Sequence, residues 1–111
     1  MAHDQNLYRL KAGVIKAMAH PSRLMMIEAL KDGERCVCEL QALVGSDMST
    51  VSKHLSVMKN AGIVSDRKQG LMVLYSLRCP CILDFLGCID AVIRADVEQK
   101  MSMCKAIDTA T

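Results

Sequence analysis

A mainly α-helical fold with one small β-hairpin is predicted by three features of the chain. Of its 111 residues 51% are hydrophobic, yet only 3% are aromatic and there is no Trp. The core must therefore be built from Leu, Ile, Val, Ala and the nine Met, which suit packed helices better than sheets. Apolar residues recur at helical spacing along most of the length. Only the stretch from Ile63 to Leu77 is β-prone, on both sides of a charged, Gly-containing turn. A chain of this length forms one domain, residues 1–111, small and apolar enough to gain from a partner that covers part of its surface.

The first helix is expected over residues 5–19, with Leu7, Leu10, Val14 and Ala17 on one face. His20 is placed to cap the next helix, Ser22 to Lys31, and Pro21 suits its first position. Asp32-Gly33 stops that helix. A short helix follows from about Val37 to Val44 and ends at Gly45. Asp47 is a credible N-cap for a helix running to about Ala61, with Gly62 beyond it. Val51, Leu55 and Met58 form its apolar stripe and leave Ser49, Thr50, Ser52, Lys53 and His54 outside. Two short helices joined by a tight turn, the second polar on its outer face, make a helix-turn-helix over about 37–61. The hairpin at about 63–77 is then a wing. Cys79-Pro80-Cys81 opens a last long helix, about 80–105, striped by Ile82, Phe85, Leu86, Ile89, Ile93, Val97 and Met101. So long a stripe in so small a domain is expected to pack on a partner. The order α-α-α-α-β-β-α is a winged helix-turn-helix, expected as a homodimer through helices 5–19 and 80–105.

The net charge of +2 argues little, but its distribution is informative. From Met48 to Cys79 the bases Lys53, Lys59, Arg67, Lys68 and Arg78 face one acid, Asp66, so positive charge is concentrated where phosphates would be met. Ser49, Thr50, Ser52, Lys53, His54 and Lys59 on the second helix, with Arg67 and Lys68 on the wing, are the expected contacts to double-stranded DNA. The polar start of the chain and the lack of any apolar run near 18–20 residues predict a cytoplasmic protein with no membrane contact.

Six Cys in a reducing compartment suggest ligands or sensors before disulfides. Cys36 and Cys38 stand two residues apart at a helix start. On a regular helix they would diverge by about 200°, so both can face one ion only if Cys36 lies on the non-helical approach. A helix N-terminus favours the thiolate, the form that binds metal, and sulfur ligation selects soft ions. Further donors are Cys79 and Cys81, flanking Pro80, and Cys88. Cys104 is read as a spectator and the Met excess as core filler.

Helix, helix, Cys-X-Cys helix, reading helix, wing and long helix, in that order, resemble the ArsR/SmtB metalloregulators. The most specific pieces are Cys36-Val37-Cys38-Glu39-Leu40 and Thr50-Val51-Ser52-Lys53-His54-Leu55. Lys59-Asn60-Ala61-Gly62-Ile63-Val64 and Tyr75-Ser76-Leu77 also fit. The likeness covers about Leu7 to Ala95. It implies a homodimeric repressor that holds its operator until a metal or metalloid binds, with arsenite or antimonite as effector on cysteine thiolates. The arsenic-responsive members often carry a third Cys where this chain has Gln41. Cadmium- and lead-responsive relatives draw Cys from an N-terminal arm, and the arm here, Met1 to Asn6, has none. Zinc sensors use His and carboxylates on a last helix that here lacks His. A Cd or Pb sensor and a thiol-redox or persulfide sensor are the alternatives on the same scaffold, and a metallochaperone is a distant one. No Cys-X-X-Cys and no acid–base pair supports an enzyme.

Overall fold

The computed structural model describes residues 4–110, so Met1–His3 of the N-terminal arm and Thr111 lie outside the described residues. The described residues form the α-helices α1 (Gln5–Met18), α2 (Pro21–Ala29), α3 (Val37–Val44), α4 (Met48–Asn60) and α5 (Ile82–Ala110). Three strands accompany them: β1 (Arg35–Cys36), β2 (Val64–Gln69) and β3 (Met72–Leu77). The chain up to Pro80 forms one compact unit and the chain from Cys81 a second. No described helix is long and apolar enough to cross a membrane.

The boundaries have local causes that the sequence carries. The Asp4 carboxylate accepts the Asn6 N–H at 3.0 Å and starts α1. His20 Nδ1 accepts the Ser22 N–H at 3.1 Å, and Pro21 takes the first position of α2, where no donor is needed. That helix tightens into a single 3-10 turn, Leu30–Asp32, before Gly33. Gly45 ends α3 in the left-handed region, φ 79°, which a side chain rarely tolerates. Asp47 accepts the Thr50 N–H at 2.8 Å and caps α4, which starts at the next residue, Met48. In the hairpin Gln69 faces Met72 across the two-residue turn Gly70-Leu71. Positive φ at Gly70 alone suits a type II′ turn, whose twist matches the strands.

Three features differ from the sequence expectation, the first being that residues 66–69, expected in the charged turn, extend strand β2 by pairing with β3. The order α-α-α-α-β-β-α has no strand before α3, but β1 is there, antiparallel to β3 with Arg35 opposite Tyr75 and Cys36 opposite Leu74. The sheet order is therefore β1-β3-β2. Two residues carry no period to read; pairing with β3 is what makes them a strand. The last helix also starts at Ile82, because Pro80 and Cys81 form a turn in front of it.

The core of the first unit is aliphatic and thioether. Met26, Ile27, Leu40, Val51, Leu55, Met58 and Val64 are fully buried, each stabilising the fold by roughly 1.5–3 kcal/mol. Val51, Leu55 and Met58 are the predicted stripe of α4, so its other face turns outward. Along α5, Phe85, Ile89, Ile93, Val97 and Met101 remain between 39% and 56% exposed.

Candidate thiol site and nucleic-acid interface

Cys36 joins three elements. It is the last residue of β1, its backbone is extended (φ −76°, ψ 159°), and it is the N-cap of α3. Its Sγ accepts the Glu39 N–H at 3.4 Å, while Glu39 Oε1 accepts the Cys36 N–H at 3.2 Å. This reciprocal pair is a capping box with sulfur in the place usually held by a hydroxyl. Glu39 Oε2 also accepts from Arg35 Nη1 at 3.1 Å, and Arg35 Nε donates to the Ala29 carbonyl. The Cys36 backbone N–H, then Arg35 and the Cys36 side chain, hold the Glu39 carboxyl below its usual range. Cys36 is 8% exposed, whereas Cys38, in the first turn of α3, lies in solvent.

All six cysteines are among the described residues and none is in a disulfide. Cys79, Cys81, Cys88 and Cys104 are exposed. Cys79 precedes the end of the first unit, Cys81 opens the second, and Cys88 lies on α5. Among the described residues no group of three or more His, Cys, Asp or Glu could hold a metal ion. One protomer therefore offers two sulfur donors at the start of α3, and Gln41 is no third.

The outward side of α4 carries Ser49, Ser52 and Lys53, all exposed, with Thr50 half-buried. Ser49 Oγ donates to Asp47 at 3.2 Å, so it also reinforces the cap. Hydrogen bonds from Thr50 and Ser49 keep the Asp47 carboxyl low. Lys53 forms no ion pair among the described residues, nor does Lys68 on the wing.

The reading of His54 as an outward residue is corrected. It is 8% exposed, its Nδ1 accepts Arg23 Nε–H at 3.0 Å, and its ring lies 4.3 Å from that of His20. Position 54 stands three residues after Val51 and four before Met58, which puts it on the buried stripe despite its polarity.

Two of the expected basic contacts are held within the chain. Lys59 pairs with Asp66 at 3.0 Å, joining the end of α4 to the first wing strand. Arg67 donates from Nε and Nη2 to Glu34, both at 2.7 Å, and Nη2 also reaches Gln69. The Arg67 hydrogen bond holds the Glu34 carboxyl below its usual range. Since Arg67 faces Leu74 and Leu74 faces Cys36, this bond spans the sheet beside the thiol. Glu34 and Arg23 are missed by sequence reading because each finds its partner more than thirty residues away.

The fold and these sites can be set beside known proteins. The bacterial regulatory protein, arsR family, matches residues 20–66, from the start of α2 into the wing. An uncharacterized HTH-type transcriptional regulator of Mycobacterium tuberculosis is 34% identical over 101 residues, 90% of this chain and 89% of that protein. The M. tuberculosis crystal structure overlays with a TM-score of 0.77, covering 86% of this chain and 96% of that one. A homodimeric winged helix-turn-helix DNA-binding domain from Mycobacterium bovis, a possible ArsR-family regulator, is 26% identical. It overlays at 0.75 over 89% of this chain and 95% of that one. A cadmium resistance transcriptional regulatory protein, CadC homolog, of Staphylococcus aureus is 40% identical over 67 residues, 60% of this chain and 55% of its own length. These relatives are transcriptional regulators rather than enzymes. With that identity sustained over nine-tenths of its length, the chain belongs to the arsR family of bacterial regulatory proteins.

Proposed function

We propose that this chain is a cytoplasmic, homodimeric repressor that holds double-stranded operator DNA and lets go when arsenite or antimonite is captured by Cys36 and Cys38. The observation that carries the reading is the position of Cys36. Its sulfur caps the first helix of the helix-turn-helix, and its backbone pairs with the wing strand β3. Drawing the buried Cys36 sulfur and the exposed Cys38 sulfur onto one soft ligand must reorient the cap they share, and the start of α3 rearranges with it. A trivalent metalloid has three ligand positions; two thiolates fill two, and a solvent hydroxide fills the third in place of the thiol absent at Gln41. By linkage, a ligand that prefers the DNA-free form lowers operator affinity by the factor by which DNA lowers ligand affinity. Cadmium is the second reading, favoured by the likeness to the cadmium resistance regulator.

DNA contact is assigned to Ser49, Thr50 and Ser52 in the major groove, with Lys53 beside them and Lys59, Arg67 and Lys68 on the wing side near phosphates. Lys53→Ala is expected to weaken binding to operator and unrelated DNA alike. The slope of log affinity against log salt should fall by about one unit per protomer. An unchanged slope would remove Lys53 from the phosphate contacts.

The effector is tested by titrating arsenite, Cd²⁺, Zn²⁺ and polysulfide into the reduced protein bound to DNA from its own promoter region. Arsenite should weaken the complex by about 5- to 150-fold. Release by Cd²⁺ but not arsenite would favour the second reading. Release by polysulfide alone would make the thiols an oxidation sensor. No release by any of them would end the metalloregulator reading.

A further inference from the structure

The buried face of the reading helix holds a group that effector binding does not use. His54 sits among Val51, Leu55 and Met58 on α4, and its Nδ1 accepts a hydrogen bond from Arg23 Nε at 3.0 Å. A guanidinium has only donors, so that nitrogen carries no proton, and an uncharged His54 keeps its hydrogen on Nε2. Arg23 Nη1 also donates to the Ala17 carbonyl at 3.3 Å, in the last turn of α1. His20, the N-cap of α2, stacks on the His54 ring at a tilt of 48° while its own Nδ1 accepts the Ser22 N–H. One guanidinium thus ties α4 to the end of α1 and the start of α2.

We propose that Arg23 and His54 form a proton-sensitive clamp that positions the reading helix: unprotonated His54 holds α4 in its DNA-binding orientation, and proton uptake at Nδ1 releases it. Protonation would turn the acceptor into a donor facing a donor and set a second cation against the guanidinium. The charged or titratable groups acting on His54 are His20 and Arg23 from α2 and Lys53 from α4 itself, and none is acidic. From α1, which also packs on α4, comes the Ala17 carbonyl that anchors Arg23. Burial first, then those charges, push the His54 imidazole below its usual value. The sign follows: the clamp is fully present above the ordinary histidine range near pH 6.5 and is lost as pH falls through the lowered value.

This inference rests on α4 being the reading helix, and it predicts an unusual trend. Acid normally strengthens DNA binding, because protonation adds positive charge; here it should weaken it. Operator affinity of the dimer, measured at fixed ionic strength from pH 7.5 to 5.5, should fall by about tenfold, the effect of one unit of differential proton affinity. His54→Asn keeps an acceptor near the Nδ1 position with nothing to titrate, so its profile should be flat with near wild-type affinity at pH 7.5. A wild-type affinity that holds or rises toward acid overturns the clamp, as does a His54→Asn profile as steep as wild type. Should that variant not fold, the His54 ring resonance of wild type should titrate with the same midpoint as operator affinity, and separate midpoints overturn the proposal. Absence of operator binding at every pH would instead remove the reading helix itself, and the clamp with it.

Discussion

Changing Cys36 and Cys38 together to serine should abolish effector release while leaving operator affinity within about threefold of wild type. The expectation follows from what each sulfur does. Cys36 accepts the Glu39 N–H as the cap of α3, and a serine hydroxyl is among the preferred groups for that task. Exposed Cys38 supports no packing that serine would disturb. The helix therefore stays capped, the wing strand keeps its partner, and only the soft donors are lost. Cys36→Ala is the contrasting change: it removes the cap as well as the thiol and should cost roughly 0.5–1 kcal/mol. That corresponds to a Tm lower by about 2–8 °C for a domain of this size. Operator titration with arsenite and thermal melting of the two variants separate the roles. Release that survives in the double serine variant would move sensing to Cys79, Cys81 and Cys88.

What was legible in the sequence was what is decided locally. Asp47, His20, Pro21 and Gly45 act within a few residues of themselves, and each stands where capping chemistry puts it. The α4 stripe was legible for the same reason, whereas the wing turn was legible only in part: residues 66–69 read as turn residues and are strand, leaving Gly70-Leu71 alone to turn. Features made by distant partners were not. The strand β1 exists because Cys36 meets Leu74. Arg67 reads as a bare cation on the wing until Glu34, thirty-three residues earlier, takes both its donors. His54 is the instructive case, because its signal was present. Residues 51, 54, 55 and 58 follow helical spacing, and the polarity of imidazole outweighed it. Only Arg23, supplying a donor to the buried nitrogen, makes that burial tolerable. The thiol site is half legible for the same reason: spacing identifies the pair at the helix start, while a third donor would depend on groups that spacing cannot bring together.

A single charge in the middle of α5 should separate the proposed dimer. The helix has 29 residues, about 44 Å of length, and carries Phe85, Ile89, Ile93, Val97 and Met101 at intervals of four along one slanting stripe, all exposed. Exposed apolar side chains in such a row are what a symmetric partner would bury. Ile93, 55% exposed, lies near the middle. Ile93→Glu should leave the helical content of the protein unchanged, because the carboxylate has solvent to face in the single chain. In a twofold interface the change enters twice, and each desolvated carboxylate costs several kcal/mol. Dimer dissociation constants should therefore rise by about a thousandfold or more, as read by sedimentation equilibrium. Operator affinity should fall with it by about a hundredfold or more, since two half-site contacts joined in one molecule act at a high effective concentration and separate protomers do not. The two losses should track each other as protein concentration is raised, because forcing the protomers together restores the bivalent grip. An Ile93→Glu protein that sediments as wild type would mean that this face of α5 is not where the protomers meet. A stable monomer that still binds operator at wild-type affinity would break the other link, showing that two reading helices in one molecule are not what DNA recognition depends on.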